Sequence, residues 1–280
     1  MKPAQAGFVF CTTDTMEVAM KRLLLPLFLL CLAFPAFSAV EGQEVSYVAN
    51  GTTLKGWLAY EGHAMGKRPA VLVVHEWWGH NAYARKRANM LAQLGYVALA
   101  VDMYGDGRQA THPDDAGRFA GEVSKNRPLT RARFEAAMQV LRNDPRVDDS
   151  KLAAIGYCFG GSVVLNIARE GTDLKGVASF HGGLATDTPA QAGKVKAQVR
   201  VFTGADDKMI PAAQVDAFRQ EMKQAGVNYQ VMSYPGARHS FTNPDADDYA
   251  KKFNLPLAYD AKADEDSWLQ LQRFLNDVLK

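Results

Sequence analysis

The sequence predicts an α/β fold: a doubly wound, mostly parallel sheet of about eight strands with helices on both faces. Three observations predict it. Short apolar runs alternate with helical stretches through most of the chain. Tyr96 to Val101 is nearly all apolar, as a strand buried on both faces must be. Glu76, Cys158, Asp207 and His239 each follow a strand-like run closely, which places them at the carboxyl edge where such sheets bind ligands.

The elements follow in order. Met20-Lys21-Arg22 is a basic start, Leu23 to Phe34 is apolar but interrupted by Pro26, and Ala36-Phe37-Ser38-Ala39 offers small residues at cleavage spacing. This pattern reads as a secretory signal peptide, too short and Pro-broken for a membrane-spanning helix. Residues 1–19 resemble neither part of such a signal, and Met20 is the expected start. Cys31 lacks the small preceding residue of a lipoprotein signal. The expected mature protein is residues 40–280, one α/β domain, periplasmic or secreted, with no stable membrane association after cleavage. Of three cysteines it keeps only Cys158, so it forms no internal disulfide.

Glu44 to Asn50 and Leu54 to Tyr60 read as an antiparallel hairpin turning at Asn50-Gly51. Ala70 to Val74 is a strand, followed by a helix over Ala82 to Leu94 that Gly95 ends. After the strand at Tyr96 to Val101, Pro113 to Ser124 and Thr130 to Arg142 are helical; the second carries Phe134, Met138 and Leu141 on one face. Leu152 to Ile155, Val177 to Phe180, Val199 to Thr203 and Tyr229 to Tyr234 read as further strands. Ser162 to Arg169, Ala212 to Ala225 and Asp264 to Leu279 read as helices.

The most informative segment is Gly156-Tyr157-Cys158-Phe159-Gly160-Gly161, between an apolar strand and a helix. A G-x-S-x-G turn in this setting is tight, and its glycines keep side chains off the adjoining strand and helix. It lifts the central side chain above the sheet edge, over a helix start. Here that residue is cysteine, whose thiolate is favoured by unpaired amides and the helix dipole. A candidate acid and base follow in order. Asp206 and Asp207 lie in Gly204 to Pro211, and one of the two is expected to cap the following helix. His239 lies in Pro235 to Phe241 and is the only histidine after His181.

These residues resemble the dienelactone hydrolases, which carry G-Y-C-x-G-G at the nucleophile, D-x-x-V-P at the acid and G-H-S-F at the base. This chain reads Gly156 to Gly161, Asp207-Lys208-Met209-Ile210-Pro211 and Arg238-His239-Ser240-Phe241. A fourth element, His75-Glu76-Trp77-Trp78-Gly79, matches the place where the family keeps a glutamate beside the cysteine. The resemblance spans about Val45 to the C-terminus and implies an α/β-hydrolase fold. It selects Asp207 over Asp206 as the acid. It implies that Cys158 attacks an ester or lactone carbonyl, His239 manages the proton, and Asp207 fixes the imidazole. The Trp77 and Phe159 amides would form the oxyanion hole. Glu76 would accept a hydrogen bond from a neutral resting thiol until substrate arrives.

The chain departs from the family where substrate binds. The family holds its substrate's carboxylate with two arginines. One position corresponds to Arg108, in a loop two residues longer, and the other is Asn243. At least half of a bidentate clamp is therefore missing, with Arg238 or Lys208 as possible replacements. The expected enzyme is a broader esterase acting on a small-molecule ester or lactone. Trp77, Trp78, Phe159 and Tyr104 would wall an aromatic pocket bordered by His181.

No cofactor is implied. His75-Glu76-Trp77-Trp78-Gly79-His80 spaces its histidines five apart beside a glycine, not four apart on a helix, so it does not predict a metal site. A net charge of +2 without a basic cluster does not suggest nucleic-acid binding. The alternatives are hydrolysis of activated phosphotriesters or thioesters on the same residues, or a non-catalytic ligand-binding version of the fold.

Overall fold

The computed structural model describes Gly7 and residues 39–280; the expected signal segment lies outside them, apart from Ala39. The strands are β1 (Val40–Ala49), β2 (Thr52–Glu61), β3 (Arg68–Val74), β4 (Val97–Val101), β5 (Val147–Tyr157), β6 (Gly176–Phe180), β7 (Gln198–Gly204) and β8 (Tyr229–Tyr234). They form one sheet in the order β1-β2-β4-β3-β5-β6-β7-β8. Among these strands of the described residues, the β1–β2 and β2–β4 pairings are antiparallel and the others parallel. The helices are α1 (Ala82–Gln93), α2 (Pro113–Ser124), α3 (Arg127–Arg142), α4 (Phe159–Arg169), α5 (Ala212–Gln224), α6 (Ala246–Phe253) and α7 (Ala261–Val278).

The hairpin turns as expected, with Asn50 at φ 49° and Gly51 at φ 75°; two consecutive positive φ values suit the strand twist of a two-residue turn. Strand β4 shows why its sequence is continuously apolar. Val97, Leu99 and Val101 join one core with α2 to α5, while Ala98 and Ala100 join a second core with α1 and α7. Both faces of the strand are covered, so neither tolerates a polar residue.

Several boundaries extend beyond the sequence expectations. Helix α3 begins at Arg127 because Asn126 accepts from the Leu129 amide and Pro128 suits the first turn. Helix α7 starts at Ala261, where Asp260 accepts from the Ala263 amide. Helix α6 was not expected: four of its eight residues are charged. Its signal is the spacing of Tyr249 and Phe253, four apart on one helical face; both rings pack over Trp78. Neither Asp206 nor Asp207 caps α5. Its N-cap is Pro211, without a side-chain bond.

After β3 the chain crosses to β4 on one side, whereas β5 pairs with β3 on the other. The carboxyl ends of β3 and β5 thus flank the point where strand order reverses, where a crevice opens in sheets of this type. The β5–α4 connection closes against β3 through backbone contact: the Gly160 N–H donates to the His75 carbonyl at 3.1 Å. A Cβ on Gly160 would come within 2.3 Å of the Val74 carbonyl oxygen. Because the obstacle is backbone and cannot rotate away, Gly160→Ala should lower stability by at least ~2 kcal/mol. Denaturant melts of the two proteins test this, and an unchanged midpoint and slope would show that the contact is slack.

Candidate active site

The turn between β5 and α4 places Cys158 at φ 52°, ψ −115°, a region L-residues rarely occupy and one that costs on the order of 1–3 kcal/mol. Its amide N–H is held by two acceptors, the Phe180 carbonyl at 2.9 Å and His181 Nδ1 at 3.1 Å. The strained turn is therefore anchored from β6. The side chain emerges half-buried at the start of α4.

Two distant loops bring partners to the sulfur. His239, after β8, has its Nε2 at 3.2 Å from Cys158 Sγ. Its Nδ1 donates to Asp207 Oδ2 at 2.8 Å, with Asp207 after β7. The other Asp207 oxygen accepts from the Met209 and Ile210 amides at 2.8 and 3.2 Å, which fixes the carboxylate plane. Asp206 is exposed. The choice of Asp207 agrees with this geometry.

The electrostatics favour a charged imidazole. His239 is 3% exposed. Burial alone would lower its pKa, but a charged Cys158 sulfur and the Asp207 carboxylate outweigh it and raise the value from 6.5 to about 10. His181 and His75 go the other way: burial disfavours the cation in both, and the charge of His239 adds to the effect at His181. Each ring also accepts an amide N–H on one nitrogen, from Cys158 at His181 and from Met103 at His75, which a neutral ring allows. His75 donates from Nδ1 to the Glu76 carbonyl and accepts the Met103 amide on Nε2.

The two proposed oxyanion donors sit where expected in the fold. Phe159 is the first residue of α4, and Trp77 lies in the loop after β3. Among the described residues neither amide donates to a protein acceptor, so both remain available. The Trp77 carbonyl accepts from the Tyr104 hydroxyl at 3.0 Å, which steadies that loop.

Glu76 differs from its sequence expectation. Its carboxylate accepts from Ser240 Oγ at 3.0 Å and Asn243 Nδ2 at 2.6 Å, and among the described residues it has no hydrogen bond to Cys158 and no salt bridge. Burial pushes its pKa up against these two hydrogen bonds. Asn243, which stands where the family has an arginine, thus serves Glu76, and the Cys158 sulfur faces His239.

The substrate residues need correction. Trp78 is 1% exposed and stacks on Tyr249 at 4.3 Å; it is core, not pocket wall. Tyr104 and His181 present no surface either. They act from behind, Tyr104 on the Trp77 loop and His181 on the Cys158 amide. Arg108 donates to the Tyr104 carbonyl and faces Glu122 at 3.7 Å, so its guanidinium is already engaged. Arg238 is exposed beside His239 and has no hydrogen-bond partner among the described residues. Sequence reasoning missed Thr242, Tyr83 and Arg87, which form a buried network behind the site.

The model of the dienelactone hydrolase family matches residues 54–279. The chain belongs to the dienelactone hydrolase family. It is 30% identical over 242 residues to a Synechocystis sp. (strain ATCC 27184 / PCC 6803 / Kazusa) protein provisionally named carboxymethylenebutenolidase, covering 81% of this chain and 93% of that one. It is 27% identical to Protein usf of Aquifex pyrophilus, over 85% of this chain and 99% of the relative. Among solved structures, a dienelactone hydrolase-like promiscuous phosphotriesterase, P91, from metagenomic libraries is 35% identical with a TM-score of 0.81. That match covers 86% of this chain and all of P91. The fold is the α/β-hydrolase fold, and the protein is a hydrolase of this family.

The raised pKa of His239 sets a pH dependence. The folded chain holds this proton more tightly than the unfolded chain, whose imidazole titrates near 6.5. The contribution of His239 to stability is therefore complete below pH 6.5 and is lost as pH rises toward about 10. Thermal melts of wild type and His239→Gln across this range should converge at the alkaline end. A gap that stays constant would show that His239 is not charged in the resting protein.

Proposed function

We propose that the protein hydrolyses carboxylic esters, lactones included, with Cys158 as nucleophile and an acyl-enzyme intermediate. The observation that carries this reading is the unbroken chain from Asp207 Oδ2 through His239 to Cys158 Sγ, at 2.8 and 3.2 Å. The thiolate adds to the carbonyl carbon, and the developing oxyanion takes the Phe159 and Trp77 amides. Each such donor is worth about a hundredfold or more in rate. The His239 imidazolium gives its proton to the departing alkoxide, leaving a thioester on Cys158. Water then attacks the thioester while neutral His239 accepts its proton, and collapse releases the acid and restores the thiolate–imidazolium pair. Asp207 stays ionised throughout and keeps Nδ1 protonated, so Nε2 always faces the sulfur.

The surroundings support a preference for neutral esters. Arg108 is spent on the Tyr104 carbonyl and Glu122, and the second clamp position is Asn243, which serves Glu76. No bidentate receptor for a substrate carboxylate remains on those positions. Trp77, in the loop after β3, is half-buried, so part of its apolar ring remains exposed.

A second reading is favoured by the likeness to P91, whose name gives it as a promiscuous phosphotriesterase. The same thiolate can add to an activated phosphotriester, with the two amides receiving a phosphoryl oxygen, as a side activity of the same residues. A purely binding role is disfavoured, because all three groups are present and in contact.

Hydrolysis of p-nitrophenyl butyrate should fall to background in Cys158→Ala and His239→Ala, and by on the order of ten-thousandfold in Asp207→Asn, which loses the fixed tautomer. Retained turnover in Cys158→Ala would reject the nucleophile. In a panel of neutral and anionic esters kcat/KM should favour the neutral ones; the reverse order would restore a clamp role to Arg108 or Arg238.

We also propose that residues 20–39 direct export to the periplasm or medium, on the strength of their signal-like composition. The intact mass of the protein recovered from those fractions should correspond to a chain beginning near Val40. Finding only uncleaved cytoplasmic protein would reject this.

A further inference from the structure

Behind the nucleophile and base lies a continuous buried network that the ester chemistry does not use. It starts at His181, whose Nδ1 accepts the Cys158 amide N–H at 3.1 Å. The opposite nitrogen, Nε2, lies 2.8 Å from Thr242 Oγ1. Thr242 Oγ1 lies 2.6 Å from the Tyr83 hydroxyl, which accepts from Arg87 Nε at 3.2 Å. Arg87 Nη2 also donates to the Thr242 carbonyl at 2.7 Å and to Asp264 Oδ1 on α7. His181, Thr242, Tyr83 and Arg87 are between 0 and 6% exposed, so water does not substitute for these partners.

The network meets the reacting groups at two places. Thr242 belongs to the short loop carrying His239, and the same loop supplies Ser240 and Asn243 to Glu76. Arg87 clamps this loop by its backbone. His181, with its ring 5.3 Å from that of His239, anchors the amide of the strained residue that bears the thiol. The tautomer of His181 links the two. Accepting the Cys158 N–H requires Nδ1 to be bare, so the ring proton must sit on Nε2 and needs an acceptor there. Thr242 Oγ1 is that acceptor.

We propose that Thr242 and Arg87 are positioning residues for the hydrolytic reaction: Arg87 fixes the base loop, and the Thr242 hydroxyl, held by Tyr83, fixes the His181 tautomer that secures the Cys158 backbone. Without the hydroxyl, the ring proton of His181 can move to Nδ1 and oppose the Cys158 N–H. The β5–α4 turn then loses one of its two anchors and the sulfur shifts relative to His239 Nε2. The proposal rests on Cys158 being the nucleophile, but neither residue touches substrate.

Thr242→Val keeps the side-chain shape and removes only the hydroxyl, whereas Thr242→Ser keeps the hydroxyl. In the full chain, Thr242→Val should reduce kcat for p-nitrophenyl butyrate by about tenfold, the scale of one mis-set buried hydrogen bond, with KM unchanged within twofold. Alkylation of Cys158 by iodoacetamide at neutral pH should slow in parallel. Thr242→Ser should recover both, and Tyr83→Phe should fall in between. Thermal melts identify any variant that is merely unfolded. Wild-type kcat and alkylation rate in folded Thr242→Val would overturn the proposal, as would equal losses in the Val and Ser variants. Failure of the nucleophile reading shows separately, as ester hydrolysis that survives Cys158→Ala in the otherwise native protein.

Discussion

The site depends on how closely the β5–α4 turn approaches the end of β3. Cys158 reaches the plane of His239 and Asp207 only because the chain reverses from strand to helix within a few residues at positive φ. That reversal is possible only where adjacent backbones touch. Gly156 and Gly160 pack so tightly that a Cβ on Gly156 would lie 2.1 Å from the Gly160 carbonyl oxygen. The same contact ties Gly160 to His75, so the loop carrying Glu76 and Trp77 is held against the turn carrying Cys158. The loop carrying the Trp77 amide and the turn carrying the Cys158 sulfur are thus fixed relative to each other by backbone hydrogen bonding.

Around this contact the protein separates charge from neutrality. One histidine, His239, is pushed toward the cation by the sulfur and by Asp207. Its neighbours His181 and His75 are kept neutral by burial and act as hydrogen-bond hinges, each accepting an amide on one nitrogen and donating from the other. Buried polar groups of this kind are favourable only when every donor and acceptor is matched. That condition ties each ring to a single tautomer. Glu76 is accommodated by two neutral donors from the His239 loop, so this loop organises both the imidazole and the carboxylate.

Much of the fold was legible in the sequence, because parallel strands buried on both faces must be continuously apolar. Tyr96 to Val101 and the strand before His75 show this pattern. Most helix positions followed from periodicity and from Gly95 as a stop signal, although caps at Asn126 and Asp260 moved two starts upstream. Helix α6 was not legible: it is short, charged and held by two aromatic residues on a surface formed by Trp78, a partner far away in sequence. The substrate residues were misplaced for a related reason. Aromatic residues beside a catalytic motif suit a pocket wall and a core equally well, and local sequence does not distinguish them. Trp78 and Tyr104 went to the core.

By itself, the sequence singled out Cys158, Asp207 and His239 as candidates and gave their order, because a Gly-flanked turn, a candidate acid after one strand and a candidate base after the next are local patterns with local physical causes. It also determined the parallel sheet that aligns their loops at one edge. Only the tertiary structure decided what each polar residue is bonded to. Glu76 pairs with Asn243 and Ser240 instead of the thiol, Arg108 is consumed within the protein, and His181 holds the Cys158 amide. Such pairings join residues up to 167 positions apart. They are set by which buried donor finds which acceptor once the core has closed, and no local pattern encodes that.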